Sequence, residues 1–188
     1  MSSVAVYSGS FNPLHIGHLT IIRYMIEEAG FDTVRLIVSP KNPLKDNISS
    51  ASGQERYRAA VEAVRRHPEL AGKVLIDDIE LNMPEPHYSI RTLDALRERE
   101  PSDDFTIIMG ADNLADIRRW RDYTRILKEY GTAVYQRTGF DLQKIKQDLL
   151  DEDPAYEIRI LDASMVDISS TQIRNSISNN EDVSHLLM

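Results

Sequence analysis

The order of apolar segments predicts an α/β fold, with a doubly wound, mostly parallel sheet in a single domain spanning 1–188. Three observations carry this expectation. Short apolar runs of strand length alternate with longer stretches of helical period along the chain. Glycine, proline and cap-forming residues punctuate the boundaries between them. With 188 residues, 41% of them apolar, one sizeable core can form, and no repeat, low-complexity tract or linker divides the chain. Strands alternating with helices pair in parallel through right-handed crossovers.

Val4-Ala5-Val6-Tyr7 reads as the first, buried strand. A loop containing glycine and proline, Ser8 to Leu14, leads into a helix from about Ile16 to Ala29, which Gly30 closes as a C-terminal cap. Val34 to Val38 is the second strand, stopped by Ser39-Pro40. A long polar loop follows through Lys41, Pro43, Lys45 and Asn47. Ser52-Gly53-Gln54-Glu55 has capping-box spacing and opens a helix that ends before Pro68. Val74-Leu75-Ile76 is the third strand, and acidic, proline-punctuated sequence runs on to Pro86.

Ile90 to Arg99 is amphipathic and helical, ended by Pro101. Phe105 to Met109 is the most apolar strand, and Gly110-Ala111-Asp112-Asn113 turns off its end. Helical sequence is expected from Asn113 to Tyr130, then a strand at Thr132–Tyr135 and a helix at Leu142–Leu150. Ile158–Leu161 is the last strand, and Ser169-Ser170-Thr171 caps a final helix carrying Ile173 and Ile177. The result is a Rossmann-like arrangement. Ligands in such sheets sit beyond the carboxyl ends of the strands, where strand order reverses. The loops after Tyr7, Val38, Met109 and Leu161 are therefore the ones to search.

Composition narrows the function classes. A formal charge of −8 argues against a nucleic-acid partner, since phosphate neutralisation by a basic face supplies most of such affinity. There is no cysteine, hence no disulfide, thiolate metal site or cysteine nucleophile. No apolar run reaches transmembrane length, and Met1-Ser2-Ser3-Val4 lacks the layout of a signal peptide. These features predict a cytoplasmic enzyme of small-molecule substrates with no membrane partner, with a homo-oligomer open.

The loop Ser8-Gly9-Ser10-Phe11-Asn12-Pro13-Leu14-His15-Ile16-Gly17-His18 joins the first strand to the first helix. Its small residues let the backbone approach a ligand, and its amides can point at phosphate. His15 and His18 fall on one face at the helix start, with Gly17 keeping that face open. Two imidazoles beside a helix terminus suit phosphate oxygens. One histidine alone would more simply cap a turn or pack under the sheet; the pair with this glycine pattern favours a site. No Gly-x-x-x-x-Gly-Lys occurs, and the glycine spacing does not fit a dinucleotide fingerprint. At the other end, Ile168-Ser169-Ser170-Thr171-Gln172-Ile173-Arg174 places hydroxyls at a helix start and a guanidinium one turn in, where both can meet an anion.

Gly-Ser-Phe-Asn-Pro-x-His-x-Gly-His resembles the signature of the nucleotidyltransferase superfamily, and His15-Ile16-Gly17-His18 is the tetrapeptide shared with class I aminoacyl-tRNA synthetases. Asn12 stands where many members carry Asp. The later segment resembles the superfamily's Ile-Ser-x-Thr-x-Ile-Arg motif. The resemblance implies that His15, His18 and Arg174 are catalytic; Lys45 joins them through the narrower likeness of its own loop to one branch of that superfamily. It also implies that ATP is bound at Gly9, Ser10, Phe11, Gly17, Gly110, Asp112, Ile168, Ser170 and Thr171.

Ser39-Pro40-Lys41-Asn42-Pro43-Leu44-Lys45 is similar to the Ser-Pro-x-x-Pro-x-Lys loop of bacterial nicotinate-mononucleotide adenylyltransferases, with Leu44 where many relatives have His. Tyr88-Ser89-Ile90-Arg91-Thr92-Leu93 resembles that family's Tyr-Thr-x-x-Thr-Leu segment. By this resemblance Tyr88, Ser89 and Trp120 receive the pyridine nucleotide, with Trp120 stacking on the ring. The likeness spans Val4 to about Ser178.

Phosphopantetheine adenylyltransferases carry Thr in place of His15, and cytidylyltransferases end in a different motif. A tRNA synthetase would need a longer chain with a Lys-Met-Ser-Lys-Ser-like loop. The implied reaction joins the AMP part of ATP to nicotinate mononucleotide, giving deamido-NAD and pyrophosphate, with Mg²⁺ arriving on the ATP phosphates. Nicotinamide mononucleotide, phosphopantetheine or a sensor without turnover are the alternatives. No role attaches to Asn179–Met188.

Overall fold

Alternation along the first strand decides how the layers assemble. In β1 (Ser3–Gly9), Val4 and Val6 enter one buried cluster while Ala5 and Tyr7 enter the other. A strand buried on both faces belongs in the middle of a sheet covered on both sides. The computed structural model, which describes residues 1–40, 52–163 and 168–188, shows this arrangement. Six parallel strands run in the order β3-β2-β1-β4-β5-β6, with β2 at Thr33–Val38, β3 at Val74–Asp77, β4 at Asp104–Gly110, β5 at Thr132–Tyr135 and β6 at Ile158–Leu161. The sheet expected as mostly parallel is parallel at every pairing. Strand order reverses between β1 and β4, so the crevice between their carboxyl ends is the switch point.

On one face lie α1 (Ile16–Glu27) and α2 (Gly53–Arg65), contributing Leu19, Ile22, Met25, Ala60 and Ala63 to the core. Ile22 and Met25 are fully buried, each contributing about 1.5–3 kcal/mol relative to exposure. On the other face lie α3 (Ser89–Arg99), α4 (Ala111–Ala115) and α6 (Leu142–Glu152), which bring Leu93, Leu96, Leu114 and Leu149. Local signals fix the ends of these helices. Ser52 and Glu55 form the capping box expected of them. Gly30 adopts φ 79°, which lets the Phe31 N–H reach back to the Met25 carbonyl at 3.0 Å and end α1.

One element differs from expectation. The continuous helix predicted from Asn113 to Tyr130 is broken into pieces. After α4 comes a 3₁₀ turn at Ile117–Arg119, an extended Trp120 and a left-handed Asp122 (φ 49°, ψ 40°). A short α5 (Tyr123–Arg125) then widens into a π turn at Ile126–Tyr130. Side-chain partners outside the segment win over its helical periodicity: Arg118 and Tyr123 both bind Glu152 on α6. The break places Trp120 at the rim of a hollow rather than on a helix face. No helix among the described residues is long and apolar enough to cross a membrane.

Candidate active site

The start of α1 is built from its two histidines. His15 is the N-cap in extended conformation, and its Nδ1 accepts from the Gly17 N–H at 3.1 Å. His18, three residues on, accepts the His15 N–H on its own Nδ1 at 3.2 Å. This is a capping box made of imidazoles where Ser and Glu usually serve. A backbone N–H can only donate, so each Nδ1 must be unprotonated. In the neutral ring the hydrogen then sits on Nε2. The rings stack at 3.7 Å between centroids, tilted by 31°. Phe11, buried and held at φ 46°, makes T-shaped ring contacts with both Tyr7 and His18. The Phe11 side chain therefore supports the histidines from within the core.

Both imidazoles line a cavity of about 170 Å³ together with Tyr7, Gly17, Tyr135, Arg137, Ile168 and Ser170. Its far wall is the start of α7 (Ser170–Ser178), where Ser169 and Gln172 form a second capping box. Two helix N-termini thus converge on one cavity, an arrangement that favours bound anions. Ser170 Oγ also donates to the Pro13 carbonyl at 3.0 Å, and Arg174 divides its fork between the Asn12 carbonyl (2.8 Å) and Thr171 Oγ1 (3.1 Å). The two motifs lie at opposite ends of the chain and meet in space.

Arg137 follows β5 and faces the same cavity. Its guanidinium lies 5.2 Å over the Tyr135 ring, and its Nε sits 3.8 Å from Asp112 at the β4 turn. Gly110 has no room for a side chain, because a Cβ there would meet Asp112 at 2.5 Å and Arg137 at 3.2 Å. Across the switch point, buried Arg56 on α2 donates to the carbonyls of Ser10 (2.7 Å) and Ser39 (2.8 Å), fastening the loops after β1 and β2 together. A separate hollow opens on the other face of the sheet, lined by His87, Tyr88, Ser89, Arg119, Trp120 and Arg121. Tyr88 is the N-cap of α3, and its side chain makes no capping hydrogen bond there.

The cytidylyltransferase-like family matches residues 6–176. A curated protein of Flavobacterium johnsoniae named "Probable nicotinate-nucleotide adenylyltransferase" is 36% identical over 98% of this chain and 91% of its own length. A protein of the same name from Bacteroides thetaiotaomicron is 36% identical over 97% and 85%. The chain belongs to the nicotinate-nucleotide adenylyltransferase family. The fold agrees: the Plasmodium falciparum nicotinic acid mononucleotide adenylyltransferase complexed with NaAD superposes with a TM-score of 0.76 at 17% identity, covering 97% of this chain and 87% of that one.

Against that family, the residues singled out in the sequence divide into two groups in space. His15, Gly17, His18, Ile168 and Ser170 line the histidine cavity, Phe11 packs against His18, and Arg174 ties Thr171 to the Asn12 carbonyl, while Gly9, Ser10, Gly110 and Asp112 are not among the lining residues, Asp112 lying 3.8 Å from the lining Arg137. Tyr88, Ser89 and Trp120 line the second hollow. Lys45 lies outside the described residues. Arg137 was not anticipated. The signal for it was available, because Tyr135 ends a strand and the loop after it faces the same crevice as the other carboxyl-end loops.

The surroundings of the two histidines keep them neutral. Burial lowers His18 to about 3, helped by His15 and the charge of Arg137. Burial, then Arg137, lowers His15 to about 4. Both rings are then uncharged Nε2–H donors throughout the neutral range. An unfolded imidazole titrates near 6.5, so the unfolded chain takes up protons first as pH falls. The associated stability is complete above about pH 6.5 and is lost progressively as pH drops toward about 3. Long-range ¹H–¹⁵N correlation spectra should show both imidazoles as Nε2–H tautomers from pH 8 down to about pH 5. A midpoint near 6.5 for either ring would contradict the reciprocal box.

Proposed function

We propose that the chain transfers the adenylyl group of ATP to nicotinate mononucleotide, giving deamido-NAD and pyrophosphate. One observation carries the reading: the imidazole capping box and the start of α7 face each other across one cavity at the switch point. The membership of the family, through relatives named for this activity, supports it.

In the reaction an oxygen of the acceptor's 5′-phosphate attacks the α-phosphorus of ATP in line. The bond from that phosphorus to the bridging oxygen breaks, and pyrophosphate leaves with the electron pair. No protein nucleophile is needed, so positioning and charge stabilisation supply the catalysis. His15 and His18 donate from Nε2 to phosphate oxygens that gain charge in the transition state. The amides at the start of α7, with Arg174 and Arg137, take the departing pyrophosphate, and Lys45 approaches it from the loop after β2. Tyr88, Ser89 and Trp120 hold the pyridine end, with the uncapped amides of α3 available to its carboxylate.

Mg²⁺ on the ATP phosphates would neutralise charge there. Among the described residues no group of three or more His, Cys, Asp or Glu could hold an ion.

Pyrophosphate release from ATP with nicotinate or nicotinamide mononucleotide, assayed in parallel, tests the reading. Release that prefers nicotinate is expected. Release with nicotinamide alone would keep the chemistry and overturn the assignment at Tyr88 and Ser89. Binding of ATP without release with either acceptor would sink the proposal in favour of a sensor or another acceptor.

A further inference from the structure

Three consecutive carbonyls of the histidine loop each accept a hydrogen bond from the C-terminal part of the chain. The Asn12 carbonyl accepts from Arg174 and the Pro13 carbonyl from Ser170 Oγ. The Leu14 carbonyl accepts from the Met188 N–H at 3.4 Å. One residue further, His15 forms an antiparallel bridge with Leu187. The segment that makes this bridge folds back after α7 through a left-handed Asn180 (φ 59°) and a 3₁₀ turn at Ser184–Leu186. Its side chains are anchored: Val183 is 7% exposed, and Met188, at 5%, belongs to the same core cluster as Phe11, Leu14 and Leu19.

The bridge falls on the residue whose backbone matters most to the site. His15 caps α1 only because its backbone is extended (φ −142°, ψ 174°), and an extended backbone is what pairing with Leu187 selects. Its N–H is thereby aimed at His18 Nδ1. We infer that residues 183–188 are a strap that positions the two imidazoles, with Leu187 and Met188 as positioning residues for the transfer reaction. The strap acts through backbone pairing and apolar anchoring and touches no substrate. This assignment rests on the adenylyl-transfer reading for its kinetic consequence, whereas its effect on the imidazoles is independent of the acceptor.

The test compares the full chain with one ending at Asp182. The shortened chain is expected to keep its far-ultraviolet circular dichroism and its KM for nicotinate mononucleotide, whose hollow is formed by other elements. Its kcat should fall about 10-fold or more, as expected for a small misplacement of reacting groups, and its imidazole Nε2–H signals should shift or broaden. Should the shortened chain unfold, Met188→Pro removes the single N–H to Leu14, while Met188→Leu keeps that N–H and an apolar anchor and should restore turnover. Unchanged kcat with unchanged imidazole signals would overturn the strap, as would a loss of thermal stability alone. If the full chain releases no pyrophosphate with either mononucleotide, the reaction assignment fails while the imidazole spectra still decide the strap.

Discussion

Replacing His18 with alanine is expected to slow turnover by roughly 10²–10³-fold, the usual effect of losing one preorganised donor in a water-poor site. Two roles converge on this side chain. Its Nδ1 accepts the His15 N–H and completes the helix cap, and its Nε2–H is the donor left for the substrate. His18→Glu separates them, because Glu is a natural capping-box residue at the third helical position and its carboxylate still accepts the His15 N–H while offering no donor at neutral pH. If the donor is what matters, the Glu variant should keep the stability of the parent and remain slow. In both variants kcat and kcat/KM should fall together, as for an interaction made only in the transition state. A decline of only a few-fold in His18→Ala would remove His18 from the mechanism.

Gly17→Ala should damage activity about 10²-fold while leaving the fold intact. A Cβ on Gly17 would lie 2.9 Å from His15 Cε1 and 3.0 Å from its Nδ1, with Ile168 Cγ2 at 3.2 Å on the other side. The ring cannot retreat freely, since its Nδ1 is held by the Gly17 N–H itself. The imidazole must rotate or give up the cap, and a displacement of about 1 Å in a reacting group costs on the order of 10² in rate. Stability should fall only slightly. Alanine is favoured over glycine in a helix by about 1 kcal/mol, which offsets part of the contact penalty. The measurement is kcat/KM for pyrophosphate release beside a thermal melt. Wild-type turnover in Gly17→Ala would show that the cavity tolerates a moved ring and that His15 is not placed as described.

Much of this molecule is determined by its sequence alone. Alternating strand and helix periods, Gly30 as a stop and the Ser52–Glu55 and Ser169–Gln172 boxes are local properties, and local backbone preferences enforce them wherever the segments lie. The His15–His18 and Ile168–Arg174 motifs and the aromatic at Trp120 are legible for the same reason, being short patterns of particular residues. The sequence could not show that Arg174 and Ser170 also brace the carbonyls of Asn12 and Pro13, because those contacts join residues far apart in the chain.

Tertiary structure also decided the fate of Asn113–Tyr130, where Glu152 on α6 outweighs a helical period and turns Trp120 toward the second hollow. Arg137 became a member of the site only when β5 was placed beside β4, bringing its guanidinium to the Asp112 turn. The segment Val183–Met188, with no local pattern of its own, acquired its place by pairing with His15 across the whole chain. Local propensity therefore set the elements and their caps, while long-range hydrogen bonds and burial, which no window of sequence contains, set which side chains share a cavity.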